Sequence, residues 1–86
     1  MSSVIVYTTD PCPYCLQAKS LLSKRGIPFE EVNLAKDPAG RSELIERTGM
    51  MTFPQVVIDG QTVGGFTELR ELDRSGRLDE LVDRAA

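Results

Sequence analysis

Apolar residues along the chain recur with two different periods. Val4-Ile5-Val6-Tyr7 is an unbroken β-branched and aromatic run, the pattern of a buried strand. From Pro13 to Arg25 the residues Cys15, Ala18, Leu21 and Leu22 return at helical spacing, and Gly26 marks a helix stop. After Pro28, the stretch from Phe29 to Leu34 reads as a second short strand with Val32 and Leu34 on one face. Strand, helix and strand in this span make a βαβ unit, parallel and right-handed by precedent. Asp37-Pro38 is an N-cap followed by proline at the first helical position. The helix it opens turns Leu44 and Ile45 inward and stops at Gly49. "FPQVVIDGQTV" then sets Val56, Val57 and Ile58 before Asp59-Gly60, a hairpin signal that returns through Thr62 and Val63. Beyond Gly64-Gly65, Leu69 and Leu72 predict one short helix, and Leu78, Leu81 and Val82 predict another after Gly76. The expected order is β-α-β-α-β-β-α-α, an α/β layer structure with one hairpin. No linker, repeat or low-complexity segment interrupts it, so residues 1–86 are expected to form a single domain.

Composition adds exclusions. A hydrophobic share of 41% with 27% charged residues is ordinary for a small globular domain. The formal charge of −3 comes with scattered Lys and Arg, so no basic stripe for nucleic acid is present. The start "MSSVIVYTTD" has neither a basic leader nor a long apolar stretch, and no segment is long enough to span a bilayer. No membrane partner is expected. A cytoplasmic location, and with it a reducing environment, is the expectation.

Both cysteines lie in "TDPCPYCLQAK", residues 9–19, separated by two residues. Stable disulfide staples are rare in reducing compartments, and closing so short a loop constrains the unfolded chain little. A structural zinc site wants four Cys or His ligands, and a chain with two cysteines and no histidine cannot supply them alone. Haem attachment would need His where Leu16 stands. A redox couple is the leading reading, with zinc or a cluster assembled between two chains or with external thiols still open. With Pro13 at the first helical position, Cys12 becomes the N-cap, where unpaired N–H groups and the helix dipole favour thiolate over thiol. A free cysteine titrates near ~8.5, whereas Cys-X-X-Cys motifs at helix starts fall to roughly 3.5–7. Cys12 is the predicted nucleophile, and Cys15, three residues on, the partner that closes the disulfide. Lys19 stands four residues after Cys15, either biasing the thiols electrostatically or simply solvated. Asp10 opposes the thiolate if it points at the sulfur.

"CPYC" after a strand, "TFP" at residues 52–54 and "GGFTEL" at residues 64–69 resemble the glutaredoxin pattern, and the similarity runs over nearly the whole chain, through "AKSLL" and the "DG" hairpin. The resemblance implies a thioredoxin-like fold with a four-stranded mixed sheet flanked by helices. It also implies glutathione-dependent reduction of protein disulfides and of glutathione mixed disulfides, with Cys12 attacking and Cys15 resolving. Tyr14 matches the aromatic beside the first cysteine, and Pro54 the proline that faces the sulfurs through a cis peptide. Phe53 would offer its backbone to bound glutathione as a short β contact. Thr67 and Glu68 match the residues that receive the γ-glutamyl end, Thr67 as a helix cap and Glu68 toward the ammonium. Implied partners are glutathione and disulfide-containing or glutathionylated proteins, met by a monomer.

Three departures accompany the match. Thr9 stands where many relatives carry a basic residue, and Met50-Met51 where one often precedes the proline loop. Phe53 and Phe66 are bulkier than usual, and with Met50 and Met51 they are expected to make the rim greasier and favour protein substrates. Arg41 and Arg47 are the candidates to replace the lost positive charge. Two alternatives to the glutathione-fed enzyme remain. One is a glutaredoxin-like donor recycled by thioredoxin reductase, for example serving ribonucleotide reductase. The other is a dimer holding an iron–sulfur cluster through Cys12 and glutathione.

Overall fold

The β-branched residues of the first run form strand β1 (Val4–Thr8), which the chain leaves to enter helix α1 (Pro13–Lys24). Then follow β2 (Glu30–Asn33), α2 (Pro38–Thr48), β3 (Gln55–Ile58), β4 (Gln61–Gly64), α3 (Phe66–Arg74) and α4 (Arg77–Asp83). The computed structural model describes residues 3–10 and 12–83. The strands make one sheet in the order β2-β1-β3-β4, with β1 parallel to β2 and the other pairs antiparallel. This βαβαββαα order around a four-stranded mixed sheet is the thioredoxin-like fold.

Side chains of β1 alternate across the sheet, as a pleated strand requires. Val4, Val6 and Thr8 are buried, while Ile5 and Tyr7 on the opposite face are half-buried. On the better-covered face Val4, Val6, Val56 and Ile58 meet Ala18 and Leu22 of α1, Leu69 of α3 and Leu78 of α4 in one cluster. Leu22, Leu69 and Leu78 are all but fully buried, each worth roughly 1.5–3 kcal/mol of transfer free energy. The other face carries α2, whose Leu44 is buried beside Leu34 in a depression shared with Tyr7 and Arg47. Ile45 is only half-buried, so the inward stripe of α2 is narrower than its periodicity predicts.

The punctuation residues do what their chemistry requires. Asp37 caps α2 by accepting from the Gly40 N–H at 2.9 Å, and Gly49 ends it in the left-handed region at φ 74°. Asp59 and Gly60, at φ 51° and 82°, make the two-residue turn between β3 and β4. Strand β2 is shorter than expected, because Phe29 and Leu34 lie outside its ladder. Even so, the Leu34 N–H still donates to the Thr8 carbonyl at 2.8 Å. Among the described residues no helix is long and apolar enough to cross a membrane.

Candidate active site

Parallel strand β1 delivers the chain to the N-terminus of α1, and the two cysteines sit at that junction. Cys12 is the N-cap, in extended conformation, with Pro13 in the first helical turn. Its Sγ accepts the Cys15 N–H at 3.2 Å, while its carbonyl accepts the N–H groups of Cys15 and Leu16 at 3.1 and 3.2 Å. Orphan amides of the first turn therefore converge on this residue, as the sequence predicts. Cys12 and Cys15 are joined as a disulfide, with Cα atoms 5.2 Å apart. Cys12 is half-buried, but Cys15 is only 2% exposed. An incoming sulfur has access to Cys12 alone. Among the described residues no three His, Cys, Asp or Glu side chains cluster as metal ligands.

Two depressions flank the pair. The larger, of about 410 Å³, is lined by Tyr14, Thr52, Phe53, Pro54, Gly65, Phe66, Thr67 and Glu68. Every non-cysteine residue expected at the site, Tyr14, Phe53, Pro54, Phe66, Thr67 and Glu68, is in that lining. The Phe53–Pro54 peptide is cis, as the resemblance implies. The Phe53 carbonyl oxygen lies 3.7 Å from Cys12 Sγ, so main chain rather than side chain faces the sulfur. Tyr14 and Phe66 close the rim as a tilted aromatic pair with centroids 6.3 Å apart. Tyr14 remains 60% exposed, a large apolar surface held beside the disulfide.

The start of α3 differs from expectation. Thr67 is not the cap; Gly65 is, and Thr67 is the second residue of the helix, exposed. The reason is Glu68, whose Oε1 reaches back to accept the Gly65 N–H at 2.7 Å and so fixes the first turn one residue pair earlier. Gly64 is buried at φ 131°, and a Cβ there would fall 2.7 Å from the Glu68 side chain. Only glycine fits that backbone and that space. Of the candidate replacement cations, neither lines the groove. Arg41 donates to the Leu34 and Ala35 carbonyls, and Arg47 lies over the Tyr7 ring and donates to its hydroxyl. The cation that does approach is Arg70, whose guanidinium sits 5.7 Å over Phe66. Met51 is 78% exposed but is not part of the lining.

Sequence reasoning also misses what holds the proline loop. Gln55 is fully buried; its Nε2 donates to the Met50 carbonyl at 2.8 Å and its Oε1 accepts from the Thr48 hydroxyl at 2.9 Å. Thr48 Oγ1 in turn accepts the Met50 N–H at 3.2 Å. Residues 48–55 are thus tied into one unit that presents Phe53 and Pro54. The available signal was a glutamine opening an otherwise valine-rich strand, where a buried amide must find partners.

The smaller depression, about 260 Å³, is lined by Thr8, Thr9, Asp10, Cys12, Pro13, Cys15, Leu16, Lys19 and Glu31. Lys19 Nζ donates to both Glu31 oxygens at 3.1 and 3.0 Å, and the buried Thr8 hydroxyl donates to Glu31 Oε2 at 2.8 Å. Hydrogen bonding by Thr8, then by Lys19, holds the Glu31 carboxyl below its ordinary range. Lys19 is therefore paired rather than simply solvated. Asp10 accepts from the Asn33 side-chain amide at 3.2 Å.

A glutaredoxin family model matches residues 4–63, a span that holds both cysteines, the proline loop and the hairpin. The chain belongs to the glutaredoxin family. It is 45% identical over 82 residues to Glutaredoxin 3 of Escherichia coli (strain K12), covering 95% of this chain and 99% of that protein. Among solved structures it is similar to the glutaredoxin of Brucella melitensis, at 44% identity and TM-score 0.82, covering 92% of this chain and 86% of that one. The buckwheat glutaredoxin–glutathione complex has TM-score 0.89 at 27% identity, covering 96% of this chain and 78% of that one. The glutaredoxin described here is a glutathione-dependent thiol–disulfide oxidoreductase that works through its Cys12–Cys15 couple, with glutathione as co-substrate.

Proposed function

We propose that Cys12 is the attacking sulfur and Cys15 the resolving one, and that the groove of Tyr14, Phe53, Pro54, Phe66, Thr67 and Glu68 holds glutathione. The observation that carries this reading is the surroundings of one atom. Cys12 Sγ receives an amide proton from the first helical turn and lies beside the main chain of Phe53 on the groove wall. In the reduced protein the same amide stabilises the thiolate. That thiolate attacks a substrate disulfide, forms a Cys12 mixed disulfide and expels the other sulfur as a thiolate. Cys15 then displaces the captured sulfur, closing the disulfide seen here. Two glutathione molecules restore the dithiol and leave as glutathione disulfide.

Each lining residue has a task in this reading. Phe53 offers backbone groups to the peptide part of glutathione, a contact made by main chain rather than side chain. Tyr14 and Phe66 shield the reacting sulfurs from water with apolar surface. The N-terminus of α3, with Thr67 in its first turn, suits the γ-glutamyl carboxylate. One Glu68 oxygen is engaged by Gly65, and the other is assigned to the ligand's ammonium. Substrates are disulfide-containing or glutathionylated proteins. We further infer that residues 1–86 act as one domain, as a monomer, in the cytoplasm, without nucleic-acid or membrane partners.

Hydroxyethyl-disulfide reduction with glutathione and its reductase tests the reading, beside Cys12→Ser and Cys15→Ser variants. Cys15→Ser should retain reduction of glutathionylated protein and lose reduction of protein disulfides. Loss of both would contradict the division of labour between the sulfurs.

A further inference from the structure

The reaction needs a second ionisation that the glutathione groove does not explain. Cys15 is buried, and on the side away from that groove it lines the smaller depression together with Thr8, Lys19 and Glu31. We propose that the Lys19–Glu31 ion pair sets the acidity of the resolving thiol Cys15, making these two side chains positioning residues for the closing step. The proposal rests on the two-cysteine reading above.

In that step Cys12 is held in a mixed disulfide. The Cys15 S–H gives its proton to water in the depression, and its sulfur attacks Cys12 Sγ. The Cys12–Cys15 bond forms as the bond between Cys12 and the substrate sulfur breaks, and the departing thiolate takes a proton from solvent. The thiol–disulfide exchange consumes no outside oxidant or reductant. A buried thiol resists ionisation, and the charges nearest it decide by how much.

The charged residues lining the depression come from one loop and two elements. Asp10 follows β1, Lys19 is one helical turn beyond Cys15 on α1, and Glu31 is on β2. Lys19 is the one cation in that lining against two carboxylates. From the other elements packed around α1, β3 supplies the uncharged Gln55. On α3, Glu68 is bonded to Gly65, Arg70 lies over Phe66 on the groove side, and Asp73 pairs with Arg25 at the far end of α1. Glu31 is held in place from two sides, by the buried Thr8 hydroxyl and by Lys19. These bonds hold its charge toward the depression, and Lys19 offsets it at 3.0 Å. Removing the cation leaves two carboxylates in the depression that Cys15 lines and opposes its thiolate. Removing the Glu31 charge leaves the cation partly uncompensated and favours it.

The test exploits the chain's two-cysteine content. In a Cys12→Ser background Cys15 is the only thiol, and its ultraviolet thiolate absorbance is followed against pH with Lys19→Gln or Glu31→Gln added. The Lys19→Gln midpoint should rise and the Glu31→Gln midpoint fall, each by about half to one pH unit, or roughly three- to ten-fold in thiolate fraction near neutrality. In the two-cysteine protein loaded as the Cys12–glutathione mixed disulfide, the pH at which glutathione is released should move the same way in each variant. A merely structural pair would shift neither midpoint, or both in one direction, and either result overturns the proposal. The Glu31→Gln substitution keeps an amide oxygen for Thr8; should that variant nevertheless unfold, the sign of the Lys19→Gln shift decides. Because the titration needs no turnover, its failure sinks this proposal alone, whereas absence of glutathione turnover in the unaltered chain would sink the reading beneath it.

Discussion

The two depressions beside the disulfide differ in the charged groups they hold. The larger is made of backbone, a proline and three aromatic rings, with Glu68 as its charged lining residue and that residue partly used by Gly65. The smaller carries two carboxylates and an ammonium beside two threonines, Pro13, Leu16 and both cysteines. A ligand that varies only in what is attached to a common tripeptide is well served by main chain and apolar rims, which recognise shape. A buried thiol that must lose a proton is served by fixed charges. On the reading proposed above, one pair of sulfurs is given two environments, one for the incoming partner and the other for the departure.

The comparison can be broken first at what both sides share. Cys12→Ser should reduce glutathione-dependent turnover by about a thousand-fold or more, since no other group replaces a thiolate nucleophile; a coupled reductase assay reads it. Next is the large groove alone. Gly64→Ala forces a side chain onto a φ of 131° and into Glu68, costing about 2–3 kcal/mol. A urea melt should show the lower midpoint, with a raised KM for glutathione. Gln55→Leu leaves the Met50 carbonyl without its buried donor, a loss of about 1–3 kcal/mol. Its KM for glutathione should rise several-fold while the alkylation rate of Cys12 changes little; unchanged KM would show that the 48–55 unit does not position Phe53.

The smallest effect sharpens the charged side. Glu31 is held below its ordinary range in the folded state, so the stability it contributes is present above an unfolded pKa near 4.5 and is lost as pH falls through the folded value. Partly exposed to solvent, the pair is screened, and less than about 1 kcal/mol is expected. Melts across acid pH should show a shallower decline for Glu31→Gln than for the unaltered chain below that range. A parallel decline would mean that Glu31 is not favoured in its charged form by Thr8 and Lys19.

Much of this arrangement is legible in the sequence alone. Val6, Leu22 and Leu69 declare their burial by period, and Pro13 after Cys12 declares the cap. Asp59-Gly60 and Gly49 declare positive φ by residue type. These are local rules, acting over a turn or a pleat. The errors lay where a residue's role depends on a distant partner. Thr67 yielded the cap to Gly65 because Glu68 folds back on the chain. Arg41 and Arg47 are drawn to carbonyls and to Tyr7 on the α2 side, while Arg70, unremarked in the sequence, approaches Phe66. Lys19 had two readings until strand β2 brought Glu31 beside it, twelve positions along the chain.

By itself the sequence determined the order of elements, the helix-start position of Cys12 and the family, because period, capping and turn chemistry are properties of neighbouring residues. The tertiary structure decided which sulfur is reachable, which side chains close around it and which charges face its partner. Those depend on the pairing of β1 with β2 and β3, which sets residues remote in sequence a few ångströms apart, where Coulomb and hydrogen-bond energies act.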